Sequence, residues 1–471
     1  MAKKLTRRGL LKGAAAGITA GVAASATSAA CAPKGATPGD DTGGTGGDGG
    51  TTTPPGKIEH IIMVMMENRS FDHWYGARRL LEGRKDEDGL VEGMSNPSPT
   101  GKAVPISHAV QLCVDDPSHS WNGSHTQFND GACDGFASVH GQIYGNDGAD
   151  AMAYLTRDDL PISYALADAY THCDRYFCSV MSSTWPNRFY GHLGSSQGMT
   201  GNDVPAEGYT DPSVWQKLDE IGVDWVYYYT DVSFLSLLYK QIDVSRGRFL
   251  EDFFDALEDG ELPPVVWVDP GFSYNDNHPP HHPALGELFL ASLHEAIATS
   301  PLWDKVLVIV TYDEHGGFFD HVPPPTTEDD RADEGFDQLG FRVPTVIFGG
   351  YVKQQVDHSQ YDHTSWLRWI CDQHGIDPWT ARIAAADPLS GVLDTEAMAA
   401  GTPRAPVELP AFDFDESLLG PECNYFDLRD HQHLAKLQRH MQGLGLPDRL
   451  QDRQRLATLF RQVWHRRGLI G

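Results

Sequence analysis

The sequence predicts an α/β protein with a mainly parallel central sheet and helices on both faces. Two observations predict it. From residue 57 onward, short apolar runs alternate with segments of helical apolar spacing, the pattern of strand–helix–strand units. The 471 residues are also enough to bury a large core. Ile58–Met66 reads as a buried first strand. Leu160–Tyr176, Ser213–Ile221 and Phe249–Leu257 read as helices, and Val223–Tyr229 and Val265–Val268 as strands. Leu285–Thr299 has apolar residues at helical intervals. Lys305–Tyr312 (KVLVIVTY) and Val343–Phe348 (VPTVIF) read as strands, and Thr364–Asp372 as a short helix. Residues 91–150, rich in Gly, Asn, Ser and His, read as a loop-rich insertion in one main domain of residues 57–430. Segment 431–471 carries eight Lys+Arg and two Asp, with Leu, Phe and Trp at helical intervals. It is expected to be a basic helical extension docked on the acidic body.

Composition narrows the function. The chain has 36 Lys+Arg against 65 Asp+Glu, a net charge of −29. A nucleic-acid binder needs a basic footprint, so no nucleic-acid partner is expected. Adsorption to anionic lipid is disfavoured for the same reason. Seven Cys are too sparse for a disulfide scaffold. Residues 1–31 hold Lys3, Lys4, Arg7, Arg8 and Lys12 and no acid. The run Thr6-Arg7-Arg8-Gly9-Leu10-Leu11-Lys12 resembles a twin-arginine export signal, followed by a short Ala-rich stretch too weakly apolar to span a bilayer. Cys31 stands where a bacterial lipoprotein carries its lipidated cysteine. Residues 32–56, with nine Gly, six Thr and four Pro, read as a flexible tether. The protein is therefore expected to be periplasmic, anchored to the cell envelope or secreted. In such an oxidising setting Cys113, Cys133, Cys173, Cys178, Cys371 and Cys423 form an even set with 15 conceivable pairings.

Two strands end in polar clusters. The first runs into Glu67-Asn68-Arg69-Ser70-Phe71-Asp72-His73, and the strand 305–312 into Asp313-Glu314-His315-Gly316-Gly317. In open α/β sheets ligands bind outside the carboxyl ends of strands. Glu67, Asn68, Asp313 and Glu314 would then supply oxygen ligands, which suit hard cations such as Ca²⁺, Mg²⁺ or Mn²⁺. A third segment, Met181-Ser182-Ser183-Thr184-Trp185-Pro186-Asn187-Arg188-Phe189, leaves a helix through hydroxyl residues and re-enters one at a Pro. A Ser or Thr hydroxyl there lies near N–H groups that favour anions, and coordination to a metal would activate it as a nucleophile towards phosphorus.

The segments MENRSFDH, SSTWPNRFY, NDNHPPHHPALGELF and TYDEHGGFFDHVPPP together resemble the bacterial phosphoesterase family of phospholipases C and acid phosphatases, which also takes in the plant non-specific phospholipases C. The likeness runs in collinear order over roughly residues 57–375. The resemblance implies an alkaline-phosphatase-like fold. It implies that Glu67 with Asn68, and Asp313 with Glu314, hold a divalent metal, with Ca²⁺ the leading candidate, and that Thr184 is a nucleophile that also touches the metal. It implies site histidines at His119, His278 and His281, one of which would protonate the departing alkoxide. Arg188 and His321 are further phosphate-binding candidates, and His73, His315 and His363 supporting ones.

The implied activity is phospholipase C, releasing diacylglycerol and a phosphorylated head group from a phospholipid. The alternative is acid phosphatase action on small phosphomonoesters. A non-catalytic surface-binding lipoprotein is a remote third reading, and the two similar halves it would need are absent from the sequence. The acidic body makes a zwitterionic membrane surface a better partner than an anionic one. Oligomeric state is left open.

Overall fold

Eight strands form one sheet: β1 (His60–Met66), β2 (Thr171–Cys173), β3 (Trp225–Tyr229), β4 (Gly247–Phe249), β5 (Val265–Val268), β6 (Val306–Tyr312), β7 (Thr345–Phe348) and β8 (Gln355–Asp357). Their spatial order is β8-β2-β7-β6-β1-β5-β3-β4. The computed structural model describes residues 56–205, 208–412, 414, 419, 423 and 431–469. The expected export signal, Cys31 and all but the last residue of the expected tether lie outside the described residues. Every pairing in the sheet is parallel except the two made by β7, which runs against β6 and β2. The central strands β1 and β6 are buried at every position. That is the composition expected of strands covered on both faces.

Ten helices of eight residues or more surround the sheet among the described residues: α1 (Trp121–Phe128), α2 (Phe136–Tyr144), α3 (Pro161–Ala169), α4 (Thr184–Leu193), α5 (Val214–Ile221), α6 (Leu250–Asp259), α7 (Pro283–Ala298), α8 (Ser365–His374), α9 (Gln432–Gly443) and α10 (Arg453–Arg467). Adjacent residues of a strand point to opposite faces, and β3 shows both faces filled. Tyr227 meets Trp215 of α5, with ring centroids 6.2 Å apart, while Tyr228 meets Phe253 of α6 at 5.2 Å. Helices α4, α5 and α8 pack together on the first side, and α3, α6, α7 and α10 on the second. The expected mainly parallel sheet with helices on both faces is what the chain forms.

Some elements differ from expectation. The helix expected over Leu160–Tyr176 stops at Ala169, because Tyr170 takes an extended backbone and Thr171–Cys173 turn into β2. The apolar run continues through this change, so periodicity could not mark it. Strands β2, β4 and β8 are each three residues long, shorter than a readable alternation. Residues 91–150 hold α1, α2 and short strands, and their Val104, Cys133, Phe136 and Ala137 join Met152, Phe319 and Phe341 in a small separate apolar cluster. The C-terminal helices α9 and α10 are docked as expected, burying Leu434, Leu437, Met441, Leu456, Phe460 and Trp464. Of the six cysteines, Cys113 and Cys423 form a disulfide, while Cys133, Cys173, Cys178 and Cys371 are buried free thiols. No described helix is long and apolar enough to cross a membrane.

Candidate active site

Strand register assembles the site. Strands β1 and β6 are parallel neighbours with Met66 opposite Tyr312. Glu67-Asn68 and Asp313-Glu314 therefore leave the sheet side by side, although 245 residues separate Asn68 from Asp313. Backbone N–H groups lock the exit. Asp313 N donates to Met66 O at 3.0 Å. Asn68 N donates to Asp313 Oδ1 at 2.9 Å, and Glu314 N to the same oxygen at 2.7 Å.

Helix α4 brings in the third segment. Its first residue is Thr184, two positions before the Pro186 expected to open it, with Ser183 just outside. Thr184 and Arg188 lie four residues apart and so share one helix face. Both reach Glu67. Thr184 Oγ1 stands 3.5 Å from Glu67 Oε2, and Arg188 Nε donates to Glu67 Oε1 at 2.8 Å. Arg188 is fully buried, and its other donors go to Asp269 Oδ1 at 2.8 Å and Met65 O at 3.1 Å. The guanidinium that the sequence suggested for phosphate binding is thus turned towards Glu67 and Asp269.

The charge balance at this point is poor without a cation. Burial pushes Glu67 and Glu314 well above the usual carboxylate range, and Asp313 adds to both by repulsion. Burial pushes Asp313 to about 6, with Arg188 opposing. Three buried oxygens, Asn68 Oδ1, Asp313 Oδ2 and Glu314 Oε1, have no hydrogen-bond donor. Buried acceptors are normally satisfied. Buried, donor-free hard oxygens of this kind fit a divalent cation such as Ca²⁺ or Mg²⁺.

The histidines divide into groups. His119 Nε2 lies 3.5 Å from Asn68 Nδ2, and its ring meets that of His278 edge-on at 5.7 Å. Nδ1 of His119 faces Pro117 O at 3.0 Å, and Nδ1 of His278 faces Pro279 O at 2.6 Å. A carbonyl only accepts, so each Nδ1 carries the hydrogen and Nε2 is the working atom. His281 Nδ1 pairs with Asp276 Oδ1 at 2.6 Å, and the same oxygen accepts from His278 N at 2.9 Å. Asp276 therefore positions both. Asp116, His119 and His278 bring one ligand atom each within 4.8 Å of one another.

His363 donates through Nε2 to Asp313 O at 2.6 Å, and His315 sits between Glu314 Oε2 at 3.2 Å and Gln127 Oε1 at 2.9 Å. These two brace the acidic pair. His73 binds Ala153 O at 2.7 Å and stacks on Phe318. His321 lies in a different network, 2.6 Å from Asp72 Oδ2 and 3.3 Å from Asp88 Oδ1, beside Arg342.

Sequence reasoning assigned no role to Asp116, three residues before His119, or to Asp276, inside the NDNHPPHHPALGELF segment beside His278. It also passed over His431 and His433, whose rings continue the cluster from His278 at 5.2 Å and then 6.1 Å. No spacing signal linked that His-Gln-His to the rest.

A profile of the phosphoesterase family matches residues 58–377. The chain belongs to the phosphoesterase family. Like the family, it is a phosphoric ester hydrolase. Phospholipase C B of Mycobacterium tuberculosis is 32% identical over 385 residues, covering 68% of this chain and 74% of that protein. Non-specific phospholipase C1 of Arabidopsis thaliana is 32% identical over 352 residues, covering 66% of each. Among solved structures, a protein in the alkaline phosphatase superfamily from Vibrio parahaemolyticus is similar over 71% of each chain, with 11% identity and a TM-score of 0.35. The phosphoesterase profile ends before α9, so His431 and His433 lie outside the matched region.

Proposed function

We propose that this phosphoesterase is an exported phospholipase C that uses Thr184 as its nucleophile. One observation carries the reading: the Thr184 hydroxyl stands 3.5 Å from Glu67, at the end of the two strands whose Asn68, Asp313 and Glu314 each carry a buried oxygen with no hydrogen-bond partner. The mycobacterial and plant relatives named as phospholipases C support the phospholipid substrate. Export rests on the twin-arginine-like residues 1–31, and a diacylglyceryl mass on Cys31 would establish the anchored form. The acidic charge of the chain favours zwitterionic over anionic head groups.

Glu67, Asn68, Asp313, Glu314 and Thr184 would hold the divalent cation, whose charge supplies stabilisation of the phosphoryl oxygens. Thr184 Oγ1 bonds to phosphorus as the bond from phosphorus to the diacylglycerol oxygen breaks. The hydroxyl proton has Glu67 Oε2 as its nearest acceptor. An imidazole of the His119–His278 pair, entering the step protonated at Nε2 as well as at Nδ1, gives the departing alkoxide its proton from Nε2. Water then attacks the phosphothreonine and gives a proton to the same Nε2, the Thr184 oxygen recovers its proton from Glu67 as its bond to phosphorus breaks, and the phosphorylated head group leaves. Arg188 holds Glu67 in place throughout, and Asp276 holds His278 and His281.

Thr184→Ala is expected to lower kcat on short-chain phosphatidylcholine by a factor of about 10⁴ or more while the melting temperature stays close to that of the wild type. A folded Thr184→Ala protein that keeps most of its turnover would refute the nucleophile. Running p-nitrophenyl phosphate alongside, with and without Ca²⁺, separates the two activities. Faster turnover of the monoester would assign the enzyme to phosphatase action instead.

A further inference from the structure

The residues beyond the family match reach the cleft. His431 immediately precedes α9 and is 8% exposed, with its ring edge-on to His278 at 5.2 Å. The ring of His433 lies 6.1 Å from that of His431 and 6.5 Å from that of Trp185, the neighbour of Thr184. A closed circuit results. One half runs from Thr184 through Glu67, Asn68 and His119 to His278, and the C-terminal pair completes it back to Trp185.

Two independent attachments hold the pair there. Helix α9 buries Leu434, Leu437 and Met441, and it is pinned where His440 Nε2 meets Ser236 O at 3.0 Å. The second is covalent. Cys423, eight residues before His431, is bonded to Cys113, six residues before His119. Cys423 is thus tied to the stretch that leads to His119.

Resting on the reading of the site given above, we propose that His431 is a substrate-contacting residue, a third imidazole beside His119 and His278 that donates an N–H hydrogen bond to a phosphoester oxygen. The Cys113–Cys423 disulfide keeps it in reach. An N–H bond to a charged oxygen is among the stronger kinds.

The test uses the full metal-loaded chain and short-chain phosphatidylcholine, with His431→Gln, His440→Gln, Thr184→Ala and the Cys113→Ser/Cys423→Ser double variant. His431→Gln is expected to lower kcat/KM about tenfold or more, and to weaken binding of inorganic phosphate by calorimetry to a similar degree, at an unchanged melting temperature. His440→Gln, whose amide N–H can keep the hydrogen bond to Ser236 O, is expected to stay within about twofold of the wild type. The double variant is expected to lose activity in the same direction as His431→Gln. Wild-type kcat/KM and phosphate binding in His431→Gln, with Thr184→Ala inactive, would overturn the inference and leave the nucleophile standing. Equal losses in His431→Gln and His440→Gln with a lowered melting temperature would also overturn it, assigning the effect to helix docking. An active Thr184→Ala protein would instead strike at the reading of the site itself.

Discussion

Asn68 occupies a left-handed backbone conformation, φ 56°, which a short amide side chain tolerates better than most. That turn lets its N–H reach Asp313 Oδ1 while its side chain faces His119. The local cost is accepted because the carboxylate and the amide must both point into the cleft. His321 shows the opposite economy, a residue of the TYDEHGGFFDHVPPP segment used for structure. Burial alone would lower its imidazole, but Asp72 and Asp88 outweigh burial and the nearby Arg342, raising it to about 10. Asp320 completes the surrounding charges through Arg342. A raised folded value means the pairing contributes fully below about pH 6.5, the unfolded value, and is lost as pH climbs towards about 10. His321→Gln is therefore expected to destabilise by roughly 3 kcal/mol at pH 6, with the gap to wild type shrinking as pH approaches 10. Denaturant titrations across that range check it, and a gap that widens with pH would contradict the assignment.

Strands β1 and β6 fix the level at which chemistry leaves the sheet, and the turn after β6 fixes its direction. Gly316 stands at φ +61°, and a Cβ there would meet Asn68 O at 2.1 Å. The turn can therefore press against the Asn68 backbone only with no side chain present. Gly316→Ala is expected to cost more than about 1–2 kcal/mol, since positive φ and backbone contact add. It should also weaken divalent-metal binding, because relief of the clash moves Asn68. Calorimetric metal titration of the folded variant tests this, and unchanged affinity would show that Asn68 does not depend on the turn. The same reasoning explains why α4 matters as an element. One helix turn delivers Thr184 and Arg188 to the two oxygens of Glu67.

Across the molecule, acid is in excess, and part of the excess is concentrated in the site. Glu67, Asp313 and Glu314 repel one another in a buried setting where Arg188 opposes the charge of Glu67 and Asp313. A ligand that binds only the folded state stabilises it by mass action. Ca²⁺ at about a hundred times its dissociation constant is expected to raise the unfolding free energy by roughly 2.7 kcal/mol. Asp313→Asn should lose most of that increment. Equal stabilisation of the two proteins by Ca²⁺ would remove Asp313 from the metal site.

The long runs Ile58–Met66 and KVLVIVTY announced the central strands, and the polar clusters after them announced where buried acidic side chains leave the sheet. The four signature segments, taken together, pointed to the phosphoesterase family that the profile match establishes. Local sequence carried these because a buried strand needs an unbroken apolar run and a ligand set needs particular side chains. The short strands β2, β4 and β8 and the reversal of β7 were not legible, since three or four residues hold no period and pairing partners lie far apart in the chain. Nor could sequence show that Arg188 serves Glu67, that Cys113 pairs with Cys423, or that His431 stands beside His278. Residue type and spacing along the chain specify which groups are available and on which elements they ride. Which of them meet depends on strand register and helix docking, contacts between residues hundreds of positions apart that are set by packing and by no local pattern.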